Sequence, residues 1–195
     1  MSAIRNIRCD ERGATLVEFA LISPVLIMLL LGMFEMGYNF YVQAQLQGAV
    51  QKAARDSSTQ SANASATAVD TKVHRAVRAI VPKASVKFSR RAYSSFNDVN
   101  RAEDFTDLDN DGTCNDEEPF EDANGNGTWD ADRGTAGSGG ARDAVLYVVS
   151  VSYPRGFAVG TMLGLSKNVN TQAVTVLRNQ PWDAQEIDAG VGNCI

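Results

Sequence analysis

Between residues 103 and 132 carboxylates alternate with Asn and Gly, and this is the densest run of charge in the chain. Asp107, Asp109 and Asp111 stand two residues apart, Gly112 follows them, and Glu118 is the twelfth residue counted from Asp107. An EF-hand loop has this order. Side-chain oxygens come from positions 1, 3 and 5, a Gly at 6 permits the sharp turn, a backbone carbonyl serves position 7, and a Glu at 12 binds bidentately. Thr113 would supply the carbonyl. Alternate side chains of one tight turn can thus converge hard oxygen ligands on a single ion, and the chemistry predicted is calcium binding.

A second, weaker copy starts at Asp122, with Asn124, Asn126, Gly127, the Thr128 carbonyl and Asp130 at positions 1, 3, 5, 6, 7 and 9. Its position 12 is Arg133, so the bidentate Glu is missing; Asp132, at position 11, is the candidate substitute. The two copies are too close in sequence for intervening helices, which predicts a helix-free calcium loop pair whose first loop completes the ligand pattern and whose second does not. The second copy resembles the DxNxNGxWD calcium loops of secreted bacterial proteins. The alternative is an acidic surface loop without metal, whose carboxylates would repel one another and leave it disordered.

Other chemistries find little support. A net charge of −5 over 195 residues gives no basic footprint for nucleic acid. The single histidine, His74, falls on an expected helix with no nucleophile near it in sequence, and there is no phosphate-binding Gly loop, zinc-ligand cluster or nucleophile elbow. The chain is not expected to be an enzyme. Cys114 and Cys194 could pair in an oxidising compartment or stay as thiols; spacing alone does not say whether their Cα atoms approach.

The acidic segment needs a carrier, and the N-terminal third suggests one. Residues 14–34 read ATLVEFALISPVLIMLLLGMF, interrupted by Glu18, Ser23 and Pro24. At about 1.5 Å per residue the stretch between Glu18 and Glu35 covers roughly 24 Å, and its flanks extend it to the roughly 30 Å of a hydrocarbon core. Arg5, Arg8 and Arg12 precede it, which predicts a cytoplasmic N-terminus and an exported C-terminal part. A carboxylate inside an apolar span costs on the order of 2.5–3.5 kcal/mol, so Glu18 calls for a partner or a task.

Gly13 followed by ATLVEF puts Glu18 fifth after a Gly13–Ala14 bond, which resembles the prepilin peptidase site of type IV pilins and pseudopilins. The wider stretch also carries Pro24, Glu35 with Gly37, the aromatics Tyr38, Phe40 and Tyr41, and a Gln/Ala-rich continuation to Ala54. It looks like the TadE/TadG group of minor pseudopilins of tight-adherence (type IVc) pili. The resemblance implies cleavage after Gly13 and pairing of Glu18 with a neighbouring subunit's N-terminal amine during assembly. It also implies other pilin or pseudopilin subunits and a prepilin peptidase as partners, and an inner-membrane location with possible incorporation in the pilus. The competing function is a membrane-tethered or pilus-tip calcium-dependent adhesin.

The expected organisation is a cytoplasmic leader over 1–13, a transmembrane and stem helix over 14–56 with membrane contact through 14–41, and an exported head over 57–195. The calcium-loop insertion occupies 104–134 of that head. Val42, Leu46, Ala49, Val50 and Ala53 recur at helical spacing along the stem, and Val69, Val73, Val77 and Ile80 mark a second helix from Thr67 to Val81, stopped by Pro82. Strand-like runs follow at 84–88, 144–153 and 169–177, the middle one apolar enough to be central in a sheet. The fold class is therefore α+β: a long N-terminal helix, then a small antiparallel sheet packed on helix, with an inserted loop pair. The segment GFAVGTMLGL, within 156–165, is too short and Gly-broken to span a membrane, and is expected to be core rather than a patch for a neighbouring subunit.

Overall fold

The structure, a computed structural model, describes residues 14–59, 66–157, 159–178 and 189–195. The leader, with Cys9 and Gly13, lies outside the described residues, as does most of the Ser/Ala-rich joint after the stem. One long helix is followed by a four-stranded antiparallel sheet and a two-stranded ribbon, an α+β arrangement. Contacts divide the chain into two units: one holds the first helix as far as Tyr41 together with Pro154–Val169, the other Val42–Tyr153 and Asn170–Ile195.

In the first unit, helix α1 (Ala14–Thr59) is long and apolar enough to cross a membrane, and no residue of its most apolar stretch is buried. Pro24 lies inside it and lacks the N–H that would bond to the Ala20 carbonyl. The Ser23 hydroxyl reaches that same carbonyl, at 3.5 Å, so the exposed acceptor has a donor within the helix. Glu35, just past the apolar run, is buried and accepts a hydrogen bond from Arg155 Nη1.

Arg155 also closes a loop. Its amide donates to the Lys167 carbonyl at 3.0 Å and its Nε to the Ser166 carbonyl at 2.7 Å, drawing the two ends of the loop together. A single helical turn, α3 (Val159–Met162), lies inside the loop. Here the sequence expectation fails. Val159 is buried, but Phe157, Met162, Leu163 and Leu165 are exposed, so GFAVGTMLGL is largely surface and not core. Tight closure by Arg155 leaves too short a loop to fold its apolar side chains back under itself.

In the second unit the stem buries Val42, Leu46, Val50 and Ala53 of the stripe its spacing predicts, with Ala54 beside them, while Ala49 is half-buried. Helix α2 (Ala66–Ile80) buries Val69, Val73 and Val77, and Val81 rather than Ile80 completes that face. Asp70 fixes α2 to the sheet. It accepts two bonds from Arg90, at 2.5 and 3.0 Å, and one from the Tyr147 hydroxyl at 2.6 Å, while the Arg90 guanidinium sits 4.4 Å from the Tyr147 ring centre. Burial, and then Asp70 beside it, raise the Tyr147 phenol well above its ordinary pKa.

The sheet order is β3-β1-β4-β5, with β1 (Ser85–Tyr93), β3 (Thr135–Ala136), β4 (Ala144–Pro154) and β5 (Asn168–Arg178). Strand β4 lies inside, antiparallel to β1 from Ser85 opposite Ser152 to Tyr93 opposite Ala144. Its first four residues are all buried and alternation follows, which is why its sequence reads as a continuous apolar run. The remaining strands, β2 (Pro119–Asp122) and β6 (Gly190–Asn193), form an antiparallel ribbon beside the acidic segment. Phe120 is buried in this ribbon opposite Gly192, where an added Cβ would stand 2.4 Å from its ring; only Gly lets the strands close.

Candidate metal-binding loops

The acidic segment is organised around a pair of antiparallel backbone stretches, 103–107 and 118–122. Phe105 and Phe120 form a bridge at their centre, the Thr106 amide donates to the Pro119 carbonyl at 2.9 Å, and the Glu121 amide donates to the Asp104 carbonyl at 2.8 Å. This register sets Asp107 opposite Glu118 and Asp122 opposite Glu103, one Asp–Glu pair at each end of the ribbon. A loop leaves from each Asp.

In the first loop one carboxylate oxygen from each of Asp107, Asp109 and Glu118 lies within 4.8 Å of the others. Oxygens that surround calcium at about 2.3–2.6 Å stand up to about 5 Å from one another, so the spacing fits that ion. The turn is built by the carboxylates. Asp107 accepts from the Gly112 amide at 3.0 Å, Asp109 from the Asp111 amide at 3.1 Å, and Asp111 from the Thr113 amide at 2.7 Å. Asn110 and Gly112 hold left-handed backbone, at φ 63° and 77°. Asp111 takes the Asn115 side-chain amide on its other oxygen, at 2.9 Å.

Two features carry electrostatic strain. Asp107 Oδ1 is buried with no hydrogen-bond partner, and Glu118 is 2% exposed. The Asp111 amide draws the Asp109 pKa down, but desolvation and the charges of Asp111, Glu118 and Asp107 outweigh it and raise the group above the ordinary carboxylate value. A buried, unpartnered carboxylate oxygen beside two further carboxylates is an arrangement that a cation relieves.

The second loop repeats the first bond for bond. Asp122 accepts from the Gly127 amide at 2.9 Å, Asn124 from the Asn126 amide at 3.1 Å, and Asn126 from the Thr128 amide at 2.7 Å. Gly125 and Gly127 supply the two left-handed positions, at φ 72° and 78°. Asp130 accepts from the side-chain amides of Asn124 at 2.7 Å and Asn126 at 2.5 Å.

The place that Glu118 takes in the first loop is taken in the second by a residue from elsewhere. In the first loop Glu118 accepts from the amides at positions 2 and 9, Leu108 at 2.5 Å and Asn115 at 3.5 Å. In the second loop the amides at the same positions, Ala123 and Asp130, donate to Glu103, at 2.9 and 3.0 Å. Glu103 is as buried as Glu118. The substitute expected from sequence is overturned: Asp132 is engaged by Arg91 at 2.5 Å, the Tyr93 hydroxyl at 2.9 Å and the Gly134 amide at 3.1 Å. Arg133 is buried and turned toward Glu121, at 2.6 Å, and Asp98, at 3.2 Å.

A signal for Glu103 was present in the sequence. EDFTDLDNDGT from residue 103 and EPFEDANGNGT from residue 118 are one repeat, Glu-x-Phe-x-Asp followed by the loop, and each repeat begins four residues before its loop. A twelve-residue window that starts at the first Asp cannot see it. The repeats exchange their glutamates: the Glu of the first serves the second loop, and the Glu of the second serves the first.

The remaining site residues are dispersed. Cys114 and Cys194 are joined in a disulfide with Cα atoms 5.3 Å apart and 80 residues between them in sequence. The bond is backed by the Cys194 amide on the Glu118 carbonyl at 2.8 Å and the Glu117 amide on the Cys194 carbonyl at 3.2 Å, so the last strand is sewn to the edge of the first loop. Glu18 is exposed on α1 and Ala14 begins that helix, while Gly13 lies outside the described residues.

Two comparisons return nothing: no curated protein and no solved structure matches this chain. Residues 13–55, the span and its stem, match the family described as TadE-like protein, and over that segment the chain is similar to the family.

Proposed function

We propose that this chain is a minor pseudopilin of a tight-adherence pilus system, anchored by α1 and taking part in initiation, priming or capping of the fibre, with a head held in shape by calcium. The observation that carries the pilus reading is the TadE-like match over residues 13–55 together with a Glu placed fifth after Gly13. In this reading a prepilin peptidase cuts between Gly13 and Ala14, the new N-terminus meets Glu18 of a neighbouring subunit, and two opposite charges offset each other's burial while setting the register between helices. The N-terminus starts in the cytoplasm and the head is exported.

The loops contribute stability. Asp107, Asp109, Asp111 and Glu118, with the Thr113 carbonyl, would hold one calcium ion; Asp122, Asn124, Asn126, Asp130 and Glu103, with the Thr128 carbonyl, would hold a second. Calcium supplies charge that offsets the buried carboxylates, and extracellular concentrations fill even weak sites of the 10⁻⁴–10⁻³ M class. The disulfide is at home in the same exported compartment.

Mass mapping of the N-terminus from the native host tests the pilus reading: a chain beginning at Ala14 is expected, and an intact Met1 or Ser2 start overturns it. Deletion of residues 107–132 then separates roles. Lost piliation supports assembly, whereas normal pili with lost attachment favour the adhesin.

A further inference from the structure

We propose that the loop closed by Arg155 is a second membrane contact, a short apolar finger that enters the lipid headgroup and acyl boundary beside the exported end of α1. Met162, Leu163 and Leu165 are 71%, 70% and 53% exposed, and Phe157 joins them at 38%. Four large apolar side chains on one short loop form a patch that a protein surface in water rarely leaves uncovered. Their position says what covers them. Arg155 bonds to Glu35, the residue next after the apolar run that ends at Phe34, and Pro154–Val169 belongs to the same compact unit as the spanning part of α1. The loop is therefore held at the end of the apolar run, where the proposed span meets the aqueous phase.

The loop's own construction fits that place. The Arg155 side chain binds Ser166 and Glu35 and lies against α3, where a Cβ on Gly160 would stand 3.0 Å from it. Burial of the Glu35 charge is thereby balanced by a cation supplied from the loop. With the Arg155 charge taken up by Glu35, the exposed Lys167 remains as the cation of residues 154–169, which contain no acid, and this suits anionic lipid headgroups. An apolar tip with a basic base is the pattern of an interfacial anchor, and it would restrict how α1 tilts and rotates in the bilayer.

The proposal rests on α1 spanning the membrane, and the test separates the two. The full chain, with Cys9→Ser, is reconstituted in vesicles of phosphatidylethanolamine and phosphatidylglycerol, and a nitroxide is attached in turn to Leu163→Cys, Met162→Cys and, within the span, Leu29→Cys. Spin relaxation by oxygen, which concentrates in lipid, is compared with relaxation by a water-soluble nickel chelate. Oxygen is expected to dominate severalfold at all three positions, most at residue 29. Nickel dominance at 162 and 163 with oxygen dominance at 29 overturns the lipid finger and leaves the span standing. Nickel dominance at 29 overturns both. Broadening between labels at 163 that disappears on dilution with unlabelled protein would assign the patch to a second copy of the chain and also overturn the proposal.

Discussion

Glu103 and Glu118 grip the two acidic loops by the same pair of backbone amides, each Glu belonging to the repeat whose loop it does not serve. Antiparallel pairing of 103–107 with 118–122 produces this exchange, since it sets the Glu of each repeat across from the Asp of the other. The same ribbon therefore positions the Glu of both loops.

This predicts the stoichiometry of metal binding. Titration calorimetry of the full chain in detergent is expected to show two calcium ions per chain, one after Glu103→Gln, one after Glu118→Gln and none in the double variant. Each single change is expected to weaken its own site at least tenfold, about 1.4 kcal/mol. Two ions retained in Glu103→Gln would remove that residue from the ligand set.

In the calcium reading, removal of the ion is expected to act on the fold through the same groups. A ligand at about a hundred times its Kd contributes about 2.7 kcal/mol to the folded state. Chelation with EGTA is expected to lower the Tm by several degrees and to speed hydrogen exchange at the Leu108 and Ala123 amides, which Glu118 and Glu103 hold. Exchange rates at both amides that ignore chelation would count against metal in either loop.

Joining Cys114 to Cys194 closes a loop of 80 residues. Chain entropy for a loop of that size is worth about 4 kcal/mol, so the double variant Cys114→Ser with Cys194→Ser is expected to lose most of that in chemical denaturation. Strand β6 should be the first element to exchange, because its partner β2 sits at the end of the same staple.

Gly192 is expected to tolerate no side chain. The Cβ of Gly192→Ala would meet the Phe120 ring at 2.4 Å, and relieving that contact means moving a buried aromatic or opening the β2–β6 ribbon, at about 1–3 kcal/mol. Denaturation midpoints of Gly192→Ala and of the exposed-site control Val191→Ala should differ accordingly.

Acid should act through Asp98. Burial pushes its pKa up, but the Ser95 and Ser94 hydroxyls and the Arg133 guanidinium outweigh it, so the folded value lies below 3.8. A carboxylate whose pKa is lower folded than unfolded stabilises the fold above the unfolded value, and that contribution disappears as pH falls through the folded one. Asp98→Asn is expected to cost about 1–2 kcal/mol near neutrality, and the difference from the wild type should shrink as pH falls below about 3.8 and vanish below the still lower folded value. A difference that persists at lower pH would mean that packing, not charge, is lost.

Much of the architecture was legible because its causes are local. The span follows from the length of the apolar run, the stem and α2 from valines and alanines at helical spacing, and β4 from a run too apolar for a half-exposed strand. Strands β2, β3 and β6 were missed, being two to four residues long and made of residues with weak strand preference; pairing and the Cys114–Cys194 bond hold them, and neither is a local property. The 156–165 segment is largely surface and was misread as core, because hydrophobicity alone does not tell a buried loop from an exposed apolar one.

By itself the sequence determined the two long helices, the longer strands and the loop pattern: a helix the length of a bilayer, an α+β head, and two Asp-led turns with oxygen donors at alternate positions. Only the tertiary structure decided which Glu belongs to which loop, that Asp132 and Arg133 serve other partners, and that Arg155 returns across the chain to Glu35. The physical reason is the range of the interactions. Periodicity and turn propensity act over a few residues, whereas a buried carboxylate takes its partner from whatever backbone the fold brings within about 3 Å.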